Sequence, residues 1–221
     1  MFREIQVLDR SQIDELKRIA AAAKFVDGRI TNPHNKAKQN LQLHDQQAYQ
    51  KSSQILLQAL AAHEDFRNFA FPANIAPPLL TRYTPGMRYG AHTDNAFIML
   101  PPQAALRSDL SCTIFLNDPA SYEGGALSIQ LGTRRIAFKL QPGWAIVYPS
   151  DMLHEVEAVT KGERLVAITF IQSQIKDPFH RETLYELNEV AALEGLQMKH
   201  ENFTRLQLIQ QNLLRCWADK P

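Results

Sequence analysis

The run Leu79-Leu80-Thr81-Arg82-Tyr83-Thr84-Pro85-Gly86-Met87-Arg88-Tyr89-Gly90-Ala91-His92-Thr93-Asp94 decides how the middle of this chain is read. It opens on a β-prone stretch, breaks at Pro85-Gly86 and resumes with aromatics and glycine. That order predicts a turn leading into a strand that ends at the triplet His92-Thr93-Asp94. The same texture continues on both sides, because proline and glycine punctuate short β-prone runs from Pro72 to Gly162. Strands are expected over 79–83, 112–116, 126–130, 136–140, 144–148, 155–159 and 164–171, a density that belongs to a sandwich or barrel.

Beyond this region the pattern turns helical. Ser11 followed by Asp14 has capping-box spacing, and Ile13, Leu16, Ile19 and Ala20 then share one stripe, predicting a helix over 11–23. The stretch 25–43 is polar and broken by Gly28 and Asn32-Pro33, after which 46–62 reads as helix with Ser52, Leu56, Ala59 and Leu60 on its inner face. Asp177-Pro178 is a helix start, and helices are expected over 178–193 and 200–217. The stripe Leu206, Ile209, Leu213 and Trp217 of the last one predicts docking on the β core, with a homodimer contact as the alternative. The expected class is α+β with a mainly β core at 74–174, an N-terminal helical support at 1–73 and a C-terminal helical extension at 175–221.

Composition narrows the function classes. With 24 Lys+Arg against 23 Asp+Glu and no long run of like charge, the chain lacks the footprint of a general nucleic-acid binder. Cys112 and Cys216 cannot make a disulfide framework or a zinc ribbon, and a reducing cytoplasm is expected. The first residues carry no signal-peptide pattern and no stretch is long and apolar enough to span a membrane.

The chemistry concentrates in a few side chains. Residues i and i+2 point the same way on an extended strand, so His92 and Asp94 can converge on one ion, whereas His63 and Asp65 of the similar triplet His63-Glu64-Asp65 end a helix and diverge. A hydrogen-bonded structural pair is the plainer reading of His92 and Asp94. His154 heads the run His154-Glu155-Val156-Glu157 and can supply a third ligand, although a loop histidine or a zinc ligand remains open there. Two histidines and a carboxylate would leave octahedral positions vacant, as suits non-haem Fe(II) better than a closed structural zinc. Arg164, ten residues on, alternates with Val166, Ile168 and Phe170 and so faces the core, where it needs an anion. Glu155 or Glu157 could serve, or a dicarboxylic keto acid gripped by the guanidinium fork.

His92-x-Asp94, distal His154 and Arg164 ten beyond it resemble the signature of the iron(II)- and 2-oxoglutarate-dependent dioxygenases. Tyr83, Tyr89-Gly90-Ala91, Leu116-Asn117, Gly124-Gly125, Pro142-Gly143 and Tyr148-Pro149-Ser150 are similar to the prolyl-4-hydroxylase-type branch, and more narrowly to bacterial PKHD-type hydroxylases, a subgroup linked to iron uptake. The resemblance implies a double-stranded β-helix, or jelly roll, with His92, Asp94 and His154 on Fe(II). It further implies that Arg164 holds the far carboxylate of 2-oxoglutarate, that Tyr83 offers a phenol to the cosubstrate and that Phe115 stands where relatives often place a second tyrosine. O2 would be consumed, 2-oxoglutarate would yield succinate and CO2, and L-ascorbate would rescue oxidised iron. The substrate would be a small molecule or peptide, with no nucleic-acid or membrane partner. A non-catalytic iron/2-oxoglutarate sensor is the alternative. The segment 96–110, with Pro101-Pro102 and Arg107, is either a substrate lid or a surface loop.

Overall fold

The computed structural model describes residues 1–31, 36–100 and 104–219. In chain order its strands are β1 (Arg3–Gln6), β2 (Phe25–Asp27), β3 (Lys38–Gln39), β4 (Leu41–Leu43), β5 (Pro72–Ile75), β6 (Leu79–Tyr83), β7 (Arg88–His92), β8 (Phe97–Leu100) and β9 (Ala104–Arg107). They continue with β10 (Leu110–Phe115), β11 (Glu123–Gly124), β12 (Leu127–Leu131), β13 (Arg134–Phe138), β14 (Trp144–Pro149), β15 (His154–Val156), β16 (Val159–Lys161) and β17 (Arg164–Ser173). The helices are α1 (Arg10–Ala22), α2 (Gln46–Ala62), α3 (Glu64–Ala70), α4 (Pro178–Glu194) and α5 (His200–Trp217).

Two antiparallel sheets form the core. The larger runs β1-β14-β10-β17-β6-β4-β2, with β5 also on β17, and the smaller runs β13-β12-β15-β7-β3. Period-two alternation divides the large sheet into two faces. Cys112, Ile114, Ala145, Val147, Leu165 and Ala167 pack with Leu16, Leu56, Leu60 and Phe66 of the N-terminal helices. Their neighbours Phe115, Ile146, Tyr148 and Val166 pack with Leu127, Ile129 and Val156 of the small sheet. Being covered on both sides, β10 is buried along its whole length and reads as a continuous run rather than an alternating one. The result is helix layer, large sheet and small sheet, the jelly-roll arrangement expected.

Several local expectations are corrected. α1 is capped by Asp9, not Ser11: Asp9 Oδ1 accepts from the Gln12 N–H at 2.8 Å and Gln12 Oε1 accepts from the Asp9 N–H at 3.0 Å. The reciprocal box thus sits two residues earlier, three residues after β1 ends. The segment 25–43 is not a plain break, because β2, β3 and β4 join both sheets; Asn32-Pro33 lies outside the described residues. α5 docks on α4 and not on the β core. α4 already occupies that place through Leu184 and Tyr185, so α5 buries none of its residues completely and Ile209 stays 50% exposed. Asp177 caps α4 as expected, accepting from the His180 N–H at 3.1 Å. No helix among the described residues is long and apolar enough to cross a membrane.

Candidate metal centre

The register of the small sheet brings the ligand candidates together. His92 closes β7, His154 opens β15, and the two are direct cross-strand partners. Asp94 follows β7 by two residues, where its N–H donates to the Ser150 carbonyl at 3.1 Å. One nitrogen or oxygen from each of His92, Asp94 and His154 falls within 4.8 Å of the others, and the imidazole centroids are 4.3 Å apart. Asp94 Oδ1 is 4.0 Å from His92 Nε2, and Oδ2 is 3.7 Å from His154 Nε2. The other ring nitrogens face backbone carbonyls: His92 Nδ1 meets Gly90 O at 2.7 Å and His154 Nδ1 meets Met152 O at 2.9 Å. A carbonyl can only accept, so both Nδ1 atoms carry the proton and both Nε2 lone pairs point at the shared centre.

Asp94 is held by a hydroxyl chain that the sequence did not advertise. Ser111 Oγ donates to Asp94 Oδ2 at 2.5 Å, which commits its one proton, so Ser150 donates to Ser111 and Ser108 to Ser150, each at 2.8 Å. Burial and the neighbouring His154 hold the His92 imidazolium well below its ordinary range, so the neutral, ligating form prevails. Tyr89 stacks on His92 with centroids 3.6 Å apart.

Arg164 begins β17 directly across from Tyr83 of β6 and is 1% exposed. Its guanidinium carbon lies 5.0 Å over the Tyr83 ring and 5.5 Å over that of Phe115. Neither glutamate considered as its partner reaches it, since Glu155 pairs with Arg135 and Glu157 is exposed. Among the described residues no carboxylate comes within 4.0 Å, and Arg164 Nε and the Tyr122 hydroxyl are buried without hydrogen-bond partners. Burial pulls the guanidinium below its usual pKa, against the opposing pull of the neighbouring Tyr83, Tyr122 and Tyr148 phenols. The Tyr83 hydroxyl accepts from Asn40 Nδ2 at 2.9 Å, which leaves its own proton free to donate, and burial pushes its pKa up so that it stays a phenol. Tyr148, also held as a phenol by burial, sets its ring edge against His154 at 5.2 Å.

These groups line one cavity of 440 Å³. Thr31, Lys38, Asn40 and Gln42 add a polar wall, and Phe97, Ile98, Met99 and Leu100 of β8 add an apolar one. The segment read as lid or loop is therefore a β8–β9 hairpin whose first strand faces the cavity, with Pro101-Pro102 outside the described residues. His63 stays apart, half-buried at the junction of α2 and α3. Cys112 is a buried free thiol whose pKa burial pushes up to about 12, which makes it a small core side chain and no ligand.

The donor set fits a ferrous ion with vacant positions, and a guanidinium with no carboxylate partner among the described residues fits a diacid. The profile of the 2OG-Fe(II) oxygenase superfamily matches residues 78–172, the span holding all five candidate site residues. A PKHD-type hydroxylase of Sphingopyxis alaskensis is 60% identical over 217 residues, covering 98% of this chain and 99% of its own. One from Thermosynechococcus vestitus is 43% identical, with 97% of each chain covered. The chain belongs to the PKHD-type hydroxylases of the 2OG-Fe(II) oxygenase superfamily, and is an oxygenase enzyme. The fold agrees with a Pseudomonas putida prolyl-4-hydroxylase (TM-score 0.56, 19% identity, 77% of this chain and 92% of that one). It also agrees with a Trichoplax adhaerens prolyl hydroxylase bound to a hypoxia inducible factor peptide (TM-score 0.59, 14% identity, 77% and 82%).

Proposed function

We propose that this chain hydroxylates a C–H bond of a small-molecule or peptide substrate, taking one oxygen of O2 into the product while 2-oxoglutarate becomes succinate and CO2 with the other. In this reading His92, Asp94 and His154 hold Fe(II), Arg164 receives the far carboxylate of 2-oxoglutarate, and Tyr83 donates its phenolic proton to the cosubstrate. Iron and 2-oxoglutarate, when bound, supply the activation of O2 and the oxidising power, and the protein supplies aim. The two Nδ1–H donors fix the imidazoles, and the Ser111 hydroxyl fixes the carboxylate. Leu127, Val156 and Ile168 line the cavity and pack in one apolar cluster with Tyr83 and Phe115, the rings over which Arg164 lies, and such surroundings strengthen a charged contact of Arg164 with a carboxylate. Residues 74–174 form the catalytic unit, supported by 1–73 and 175–221. L-ascorbate serves as the external reductant, and the unpaired cysteines suit a reducing cytoplasm.

The observation that carries this reading is a buried Arg164 with no carboxylate within 4.0 Å among the described residues, lining the same cavity as the triad. Anaerobic titration with Fe(II) and then 2-oxoglutarate is expected to raise a metal-to-ligand charge-transfer band that His92→Ala abolishes. Succinate formed in step with O2 uptake, and sustained by ascorbate, separates a hydroxylase from a sensor that only binds. Absence of the band at saturating 2-oxoglutarate overturns the assignment.

A further inference from the structure

The hydroxylase reading uses Asn40 of the polar wall to orient Tyr83 but gives no task to Lys38, its unusual member. Lys38 is only 6% exposed, yet among the described residues no carboxylate lies within 4.0 Å of its ammonium. One of its three N–H donors goes to Thr31 Oγ1 at 2.7 Å, and Thr31 has Gly28 O and Gln42 Oε1 to accept its own proton, each at 3.1 Å. Asp94 and Asp27 favour the charge only from a distance, and Asp27 is already engaged by Arg29. Burial lowers the Lys38 pKa to about 8, which leaves it mostly protonated at neutral pH. An ammonium kept largely out of water in a cavity, with one of its donors satisfied among the described residues, is a site prepared for an anion.

Its position separates it from the cosubstrate anchor. Arg164 stands on the large sheet, whereas Lys38 stands on β3 at the edge of the small sheet, opposite Tyr89. The Tyr89 ring that the ammonium faces at 5.6 Å is the ring that stacks on His92. A group bound at Lys38 therefore lies alongside the triad and not at the Arg164 end. Lys38 and Arg164 are the only lysine or arginine side chains lining the cavity among the described residues. A single point charge matches a singly charged carboxylate better than a phosphate dianion, which calls for more donors. β8 adds apolar surface to the same cavity, with Phe97 60% and Met99 68% exposed.

We propose that Lys38 is the anion-receiving subsite for the prime substrate, and that this substrate is a monocarboxylate whose apolar body lies against β8. The proposal rests on the hydroxylase reading, and its test keeps the two apart. Hexanoate and 1-hexanol are titrated by calorimetry into the anaerobic full-length Fe(II)–2-oxoglutarate complex of wild type, Lys38→Met and Lys38→Gln. Wild type is expected to bind hexanoate about ten-fold or more tightly than 1-hexanol, and both variants to lose about that factor for hexanoate. The charge-transfer band of the same samples reports folding and cosubstrate binding, and is expected to form in the variants at the wild-type 2-oxoglutarate concentration. Equal hexanoate binding by the variants, no hexanoate binding by wild type, or a loss of 2-oxoglutarate affinity in place of hexanoate affinity overturns the proposal. Failure of the band in wild type would instead sink the underlying reading.

Discussion

Ser111 gives its only hydroxyl proton to Asp94, at 2.5 Å, and is itself fed by Ser150. The carboxylate is thereby turned so that its oxygens face the two imidazoles, and its acceptor capacity is partly used before any ion arrives.

Loss of this donor is expected to loosen the ion without disturbing the sheet. Ser111→Ala should weaken Fe(II) or Co(II) binding by about 10–100-fold in chelator competition, the range seen when a partner of a ligating side chain is removed. Ser108→Ala, two links further along the chain, should have a smaller effect. Wild-type metal affinity in Ser111→Ala would show that the chain does not orient Asp94.

Arg164 gives a prediction in which stability and binding move in opposite directions. A buried guanidinium with no carboxylate partner among the described residues opposes folding of the ligand-free protein, so Arg164→Met should be as stable as wild type or more so, by up to about 1–4 kcal/mol. The same change removes charged hydrogen bonds worth about 1.5–3 kcal/mol each to a bound carboxylate, so the thermal shift produced by 2-oxoglutarate should largely vanish. Thermal melts with and without 2-oxoglutarate check both halves, and a destabilised variant that keeps its ligand shift contradicts the assignment.

His92 ties metal-free stability to pH. Its imidazolium is pushed down to about 4 by burial first and by His154 second, whereas the unfolded chain titrates near its ordinary value of 6.5. Between those values the unfolded state binds a proton that the folded state refuses, so stability falls as pH drops from about 6.5 toward 4. Urea unfolding of metal-free wild type and His92→Gln at about pH 7 and about pH 5 should give a steeper acid loss in wild type. Identical slopes would mean that His92 titrates normally in the fold.

The legible part of the site was the part with a period. His92 and Asp94 stood out because i and i+2 share a face in extended chain, and Arg164 because strict alternation placed a charge among Val166, Ile168 and Phe170. The polar wall was illegible for the same reason. β3 and β4 are two and three residues long, too short for any alternation to register, so Lys38, Asn40 and Gln42 looked like loop residues although they are 6%, 3% and 3% exposed. Ser108, Ser111 and Ser150 gave no signal, because a serine that relays a proton and one that only fills a strand are spelled alike. α5 misled because its stripe is real while its partner is another helix, a choice that composition does not encode.

The placement of β3 has one more consequence. His92, His154 and Arg164 are carried by interior strands hydrogen-bonded on both sides, while Lys38 hangs from a two-residue margin with sheet on one side only. A side chain on that margin can be exchanged without touching the β7–β15 pairing that sets the two imidazoles face to face, so under the proposed reading the cavity's wall can be recut while the triad keeps its register.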